Sequence, residues 1–322
     1  MQNILCKGVT LHHVATEATS HRCADAYVDD TDILEAAGDD EMMHEATEEG
    51  DTAGLGEDGA ELAVRNLQHS SQVWASLVAT IGHLMAFHKC CWQMLAWTGV
   101  NGKLVPRSSD DTNGSIHLQD HRGVSSKIKY KHHDKPNVGL GFSLTPLGEQ
   151  TFEFEKRLGQ ARACAAAIST ASMSVTETWL AFVTRVLPKV TYSFMLTRFT
   201  KKQLYRISVI LDNVVLPKMG VNRKMARAVV YGPLDLGGIG YPSMSTIQDV
   251  KGISHFIKHL QWNKEVGTDL RLLLSAAQLH SGLTTHLMDN VTDHLTYLKD
   301  GHITHLRERL RQLGGGIWIE NA

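Results

Sequence analysis

At Thr151 the pattern of this chain changes. Before it, short apolar runs are broken by Gly, Asn, Asp and Pro; after it, apolar residues recur at helical spacing over most of what remains. Strand-like segments first and helical ones afterwards point to an α+β fold. At 322 residues the chain can hold two domains and a sizeable core.

Residues 1–20 show no periodicity and are expected to lack regular structure. Cys23 to Leu34 reads as a β-hairpin, and Ala37 to Ala60, rich in Asp, Glu and Gly, as an exposed acidic linker. Leu62 to Ile81 reads as a helix, with Ala63, Leu67, Trp74, Leu77 and Ile81 close to one face and Gly82 as its stop. Cys91 to Trp97 reads as a buried strand, Asn113-Gly114 as a turn, Lys127 to Tyr130 as an edge strand and Leu140 to Leu144 as another strand. Beyond Thr151, Phe154, Leu158, Ala161 and Ala165 share a helix face. Trp179, Val183, Val186 and Leu187 share another, interrupted by Pro188. Thr200 is placed to cap a helix running to Leu216, with Pro217 ending it, and Asn222 to cap a short one. Amphipathic segments follow around Val250–Leu260, Leu270–Leu279, Leu287–Leu295 and Ile303–Leu313.

The formal net charge of −2 speaks against a nucleic-acid binder until its distribution is considered. The first 64 residues carry only Lys7 and Arg22 as Lys/Arg bases among many acids. From Lys189 to Arg227 the sign reverses: Lys189, Arg198, Lys201, Lys202, Arg206, Lys218, Arg223, Lys224 and Arg227 stand against the single acid Asp212. Five cysteines without a Cys-x-x-Cys pair favour reduced thiols, and no apolar run reaches membrane-span length. These features lead to the expectation of an intracellular protein, cytoplasmic or nuclear, without a membrane partner.

Within the hairpin, Tyr27-Val28-Asp29-Asp30 places two carboxylates side by side at a tight turn. Adjacent carboxylates repel, and a divalent cation relieves that repulsion. Mg²⁺ takes hard oxygen ligands from one or two carboxylates plus substrate phosphates, an arrangement suited to two-metal phosphoryl transfer. The ordinary alternative is a solvated acidic turn.

The run Ala26 to Leu34 resembles the catalytic hairpin of reverse transcriptases of non-LTR (LINE-like) retrotransposons. The resemblance continues in order through Gly82 to Cys90, Val138 to Phe142 with Pro146-Leu147-Gly148, Leu187 to Tyr192, Leu216 to Arg223, and Ala226 to Pro233 with Gly237 to Gly240. It covers most of residues 22–320 and is weakest across 101–136. It implies a partial polymerase palm (β-hairpin, helix, short strands) over 21–150, a helical thumb-like region over 151–241 and a helical extension over 242–322, after a poorly ordered 1–20.

By that resemblance Asp29 and Asp30 are the metal-bearing pair, holding Mg²⁺ or Mn²⁺, and Lys89 is the acid that protonates the departing pyrophosphate. Near Lys89 the chain departs from the family, with Met85, Ala86 and Phe87 where Leu-Asn-Pro is common. Tyr27 packs against the primer end or incoming nucleotide, or serves as a cross-strand aromatic. Leu140 and Gly141 form the primer grip, or a plain core strand. Lys189, Lys201, Lys202, Arg206, Lys218, Arg223, Lys224 and Arg227 meet phosphates of an RNA template and DNA primer, or make a solvated helix face. Lys218, Arg223 and a helix start at Asn222 are expected to gather a phosphate site.

Eighteen histidines, among them the His255/His259 pair, raise zinc binding, but no cysteine or acid stands at ligand spacing beside them. A polymerase centre of this type also needs a third aspartate and nucleotide-binding fingers, which lie upstream in the family. Only 28 residues precede Asp29 and none carries those motifs. The expectation is therefore a fragment of an RNA-directed DNA polymerase, separated from its N-terminal half and inactive alone towards dNTP. The other reading is a catalytically inactive nucleic-acid-binding or structural remnant of a retroelement.

Overall fold

A computed structural model describes residues 9–22, 24–27, 30–34, 59–106, 114–139, 141–262, 264–289, 291–298 and 301–318, with the backbone alone for 9, 24–27 and 30–32. The expected acidic linker, apart from its last two residues, and Asn113 lie outside the described residues. The fold is α+β, and its chain forms two compact units. No described helix is long and apolar enough to cross a membrane.

The first unit comprises residues 1–12, 18–139 and 145–149. Strands β1 (Val9–His12) and β2 (Thr19–Arg22) pair antiparallel, so part of 1–20 has regular structure where none was expected. Its strands alternate weakly because polar Thr10 and His21 face each other, Oγ1 to Nδ1 2.8 Å. A second hairpin joins β3 (Ala24–Tyr27) to β4 (Asp30–Ile33).

Helix α1 (Gly59–Thr80) stops before Gly82, whose φ of 85° suits glycine. Its buried stripe includes Ala60 and Val64, while Leu77 and Ile81 of the expected face are exposed. Two glutamines disguise that stripe. Gln68 and Gln72, one turn apart, each clasp a backbone position of β8 (His117–Gln119) through both ends of the amide. Val64 packs with Trp92, Ile116, Leu118 and Ile128 into the core of this unit.

The expected strand 91–97 is cut short. β5 (Cys91–Trp92) pairs parallel with β10 (Lys129–Tyr130), where Trp92 meets Tyr130 edge to face at 4.7 Å. Trp97 begins another hairpin, β6 (Trp97–Val100) with β7 (Lys103–Pro106). Asn101 and Gly102 both have positive φ at its tip, an Asn-Gly turn signal the sequence carries openly. β9 (Ser125–Lys127) pairs with β8, and β11 (Asn137–Gly139) follows.

The second unit comprises residues 13–17, 140–144 and 150–322. After β12 (Phe142–Leu144), helix α2 (Thr151–Thr170) buries Phe154, Leu158, Ala161 and Ala165 on one face, as their spacing predicts. α3 (Val175–Ala181), capped by the Ser174/Glu177 box, runs through a π-helical turn at Phe182–Val186 into α4 (Leu187–Val190). Pro188 does not interrupt this helix. Proline's ring collides with the carbonyl four residues back in an α-helix, and widening the turn ahead of it relieves that collision. The wider turn also rephases the buried face to Phe182, Val186 and Val190, leaving Val183 exposed.

α5 (Lys201–Lys218) starts at Thr200, whose hydroxyl accepts from the Gln203 amide, and ends just past Pro217. Asn222 does not cap the next helix. Its side chain accepts from the Lys224 amide in a turn, and α6 (Arg227–Tyr231) begins later. Gly238 then crosses the Gly232 backbone so closely that no side chain fits between them.

The helices α7 (Met244–Gln261), α8 (Glu265–Ser281) and α9 (His302–Leu313) complete the unit. Phe256, Leu274, Ile303, Leu306 and Leu310 form its second core. The segment around Leu287–Leu295 is irregular rather than helical, although Leu287, Met288 and Val291 are buried. Buried Arg307 supports it, donating to the carbonyls of Leu287 at 3.0 Å and Asp293 at 2.6 Å.

Candidate nucleic-acid interface

The acidic hairpin is defined by its ladder: Ala24 opposite Ile33, Asp25 opposite Asp32, Ala26 opposite Thr31 and Tyr27 opposite Asp30. That register leaves a two-residue tip, Val28-Asp29, which lies outside the described residues together with the Asp30 side chain. β3 and β4 form a sheet of two strands. Among the described residues no group of three or more His, Cys, Asp or Glu side chains converges on a point where a metal could sit. Lys89 ends a single 3₁₀ turn (Phe87–Lys89) and is exposed.

Leu140 lies outside the described residues, and Gly141 is not in a strand. It occupies a turn with φ of 83°, a conformation that favours glycine. The carbonyl of Gly141 accepts from Lys156 Nζ at 2.7 Å and from Arg157 Nη2 at 3.1 Å. This corrects the expected grip strand: its glycine carbonyl is bound by cations of α2.

Arg157 organises this region, and nothing in its sequence context marked it. It is buried in α2 beside buried Glu153 one turn earlier, with Nε 2.6 Å from Glu153 Oε1. The same Nε also lies 3.1 Å from Ser193 Oγ, and Nη1 donates to Gln160 Oε1 and to the Lys189 carbonyl. Glu153 in turn accepts from the Ser143 amide at 2.8 Å. The guanidinium lies 5.3 Å from the Tyr192 ring, which stacks on Phe142 at 4.9 Å. Two segments far apart in sequence, Gly141–Ser143 and Lys189–Ser193, are thereby fixed to one helix. A buried charge persists only when its hydrogen bonds are met, and these are.

The basic residues fall into two groups. Lys218 and Arg227 serve the fold. Lys218 Nζ donates to the Ala171 carbonyl at the end of α2, and Arg227 Nη1 lies 3.4 Å from Oδ2 of buried Asp212. Asp212 also accepts from Tyr231 OH at 2.9 Å. Burial pushes the Asp212 carboxyl up, opposed by Tyr231, Arg227 and Tyr241. Burial and that acid push the Tyr231 hydroxyl up to about 12. The phosphate site expected from Lys218, Arg223 and a helix start at Asn222 does not form, because Lys218 is engaged and the Lys224 amide is bound by Asn222.

Lys189, Lys201, Lys202, Arg206, Arg223 and Lys224 are exposed. Arg206 lies over the Phe154 ring at 5.0 Å and 3.9 Å from Glu155. Lys201 and Lys202 open α5, whereas Arg223 and Lys224 follow its far end. At about 1.5 Å per residue the helix separates the two pairs by roughly 25 Å. Charges so spaced do not converge on one pocket.

No family model, no curated protein and no solved structure matches the chain.

Proposed function

We propose that this chain is part of an RNA-directed DNA polymerase of the non-LTR retrotransposon kind: 21–150 as a partial palm, 151–241 as a thumb-like region and 242–322 as a helical extension. The observation that carries the reading is the β3–β4 register. Tyr27 opposite Asp30 leaves a two-residue tip, the form of hairpin that such a polymerase uses to present adjacent aspartates. The exposed bases at the two ends of α5 support it, as a track for a template–primer duplex.

In the complete enzyme a divalent ion on Asp29 and Asp30 would neutralise charge as a primer 3′-hydroxyl attacks a dNTP α-phosphate. The third carboxylate of such a centre has to come from beyond the described residues or from another chain. The two-stranded sheet around the hairpin also favours a second reading, an inactive retroelement remnant that retains nucleic-acid binding.

Primer extension on a primed RNA template, with Mg²⁺ and then Mn²⁺, tests both. Extension abolished by Asp29→Ala supports the enzyme. Salt-sensitive duplex binding without extension leaves a thumb-like binder separated from its catalytic half, and absence of both overturns the proposal.

A further inference from the structure

A cluster of basic side chains lies where α9 packs on α7, and the polymerase reading makes no use of it. The two helices run antiparallel in a fixed register. Arg309 grips Asp249 through both carboxylate oxygens, Leu306 lies against Gly252, and a turn further on Ile303 and Phe256 share the second core. The same progression sets His302 opposite His255. His255 is one turn from His259, with ring centroids 4.3 Å apart, and His305 follows His302 by one turn.

The charged groups acting on these rings are all basic. His305, His255 and Arg198 act on His302, and His259 and Lys258 act on His255. Lys251, a turn before His255, is bound to Thr191. α8 contributes Leu270 and Leu274 to the shared core and Arg271 to the Leu260 carbonyl. Among the described residues no carboxylate acts on either histidine. Burial and like-charged neighbours lower both imidazoles, His302 to about 4.

From this arrangement we infer that the α7–α9 contact is an acid-sensitive joint: protonating His255 and His302 sets like charges between the helices and frees α9 while the first core of the unit stays folded. Released α9 takes a proton on His302 more readily than the packed form does. The joint is therefore at full strength above the ordinary histidine value of 6.5 and weakens as pH falls toward 4.

Amide hydrogen exchange of the full chain at pH 7.5 and pH 5, corrected for intrinsic rates, tests this. Moving from 6.5 to about 4 opens α9 by about 30-fold at pH 5, with α2 unchanged. His302→Gln is expected to remove most of that difference. His255→Gln, at the less buried ring, is expected to reduce it in part and serves if the first variant does not fold. Equal α9 protection at both pH values overturns the inference. So does an acid loss that both glutamine variants share with the wild type, or a loss that α2 shares.

Discussion

Gln68 meets His117 through both ends of its amide: Nε2 donates to the His117 carbonyl at 2.6 Å, and the His117 N–H donates to Oε1 at 2.7 Å. Gln72 repeats the pattern on Gln119, Oε1 accepting at 2.8 Å. A helix side-chain pair thus takes the place of a neighbouring strand along β8, whose exposed edge would otherwise leave these backbone groups to water or to another chain.

Gln68→Glu removes the donor and sets a carboxylate against the His117 carbonyl. The variant is expected to lose about 1–3 kcal/mol at pH 7, read from urea unfolding. Compared with wild type at the same pH, the deficit shrinks near pH 4, where the protonated carboxyl donates again. An unchanged midpoint would mean that solvent already serves this edge.

Arg157→Met leaves Glu153 buried without its cation and releases the Gly141 and Lys189 carbonyls. A loss of about 3–5 kcal/mol is expected. Glu153→Gln combined with Arg157→Met removes both charges and is expected to recover part of it. A double variant no better than the single one would place the cost in the lost backbone contacts rather than in the orphaned carboxylate.

Tyr231→Phe removes a hydroxyl that donates to Asp212. Because burial raises the folded pKa of Asp212, the folded state keeps its proton more readily than the unfolded chain. Stability from this acid is therefore greatest at low pH and declines as pH rises through its folded value. The variant is expected to cost about 1.5–3 kcal/mol at pH 7 and less near pH 4, where the neutral carboxyl needs the donor less. Chemical denaturation at the two pH values checks the difference, and a pH-independent cost would contradict it.

Gly238→Ala forces a methyl group into the Gly232 backbone, which cannot rotate away as a side chain could. A loss of at least about 1–3 kcal/mol is expected. Gly237→Ala next to it meets no neighbouring atom and suffers only from its positive φ, so thermal melting should rank Gly238→Ala as the worse of the two.

Duplex binding offers a test of which bases face phosphates. Each phosphate contact contributes about 0.9 to the slope of log affinity against log salt. Replacing Lys201 and Lys202 by Gln is expected to lower that slope by about 1.8. Lys218→Gln leaves it unchanged, since its ammonium is held by the Ala171 carbonyl. The reverse ranking would refute the assignment of the track.

Local signals were legible where the chain itself supplied the partner. The Phe154-Leu158-Ala161-Ala165 stripe and the Thr200–Gln203 cap depend on spacing within one helix. Asn222 misleads because a side-chain oxygen binds a turn amide as readily as a helix-start amide. Leu287–Leu295 has helical apolar spacing, yet its Leu287 and Asp293 carbonyls are bound by Arg307 from a helix that comes later in sequence. Arg157 carries no mark of its role, and Arg227 and Lys218 read as phosphate contacts or a solvated face, because only tertiary packing decides whether a cation meets solvent or a buried acceptor.

The π turn at Phe182–Val186 holds one residue more than a continuous α-helix needs. The helix from Val175 to Val190 therefore counts in two phases, and Pro188 is what keeps them apart. A relative without that proline has room to be one residue shorter here while still burying the counterparts of Phe182 and Val190. A single-residue gap at this point in an alignment would then record the loss of a ring, with the interior on either side unaltered.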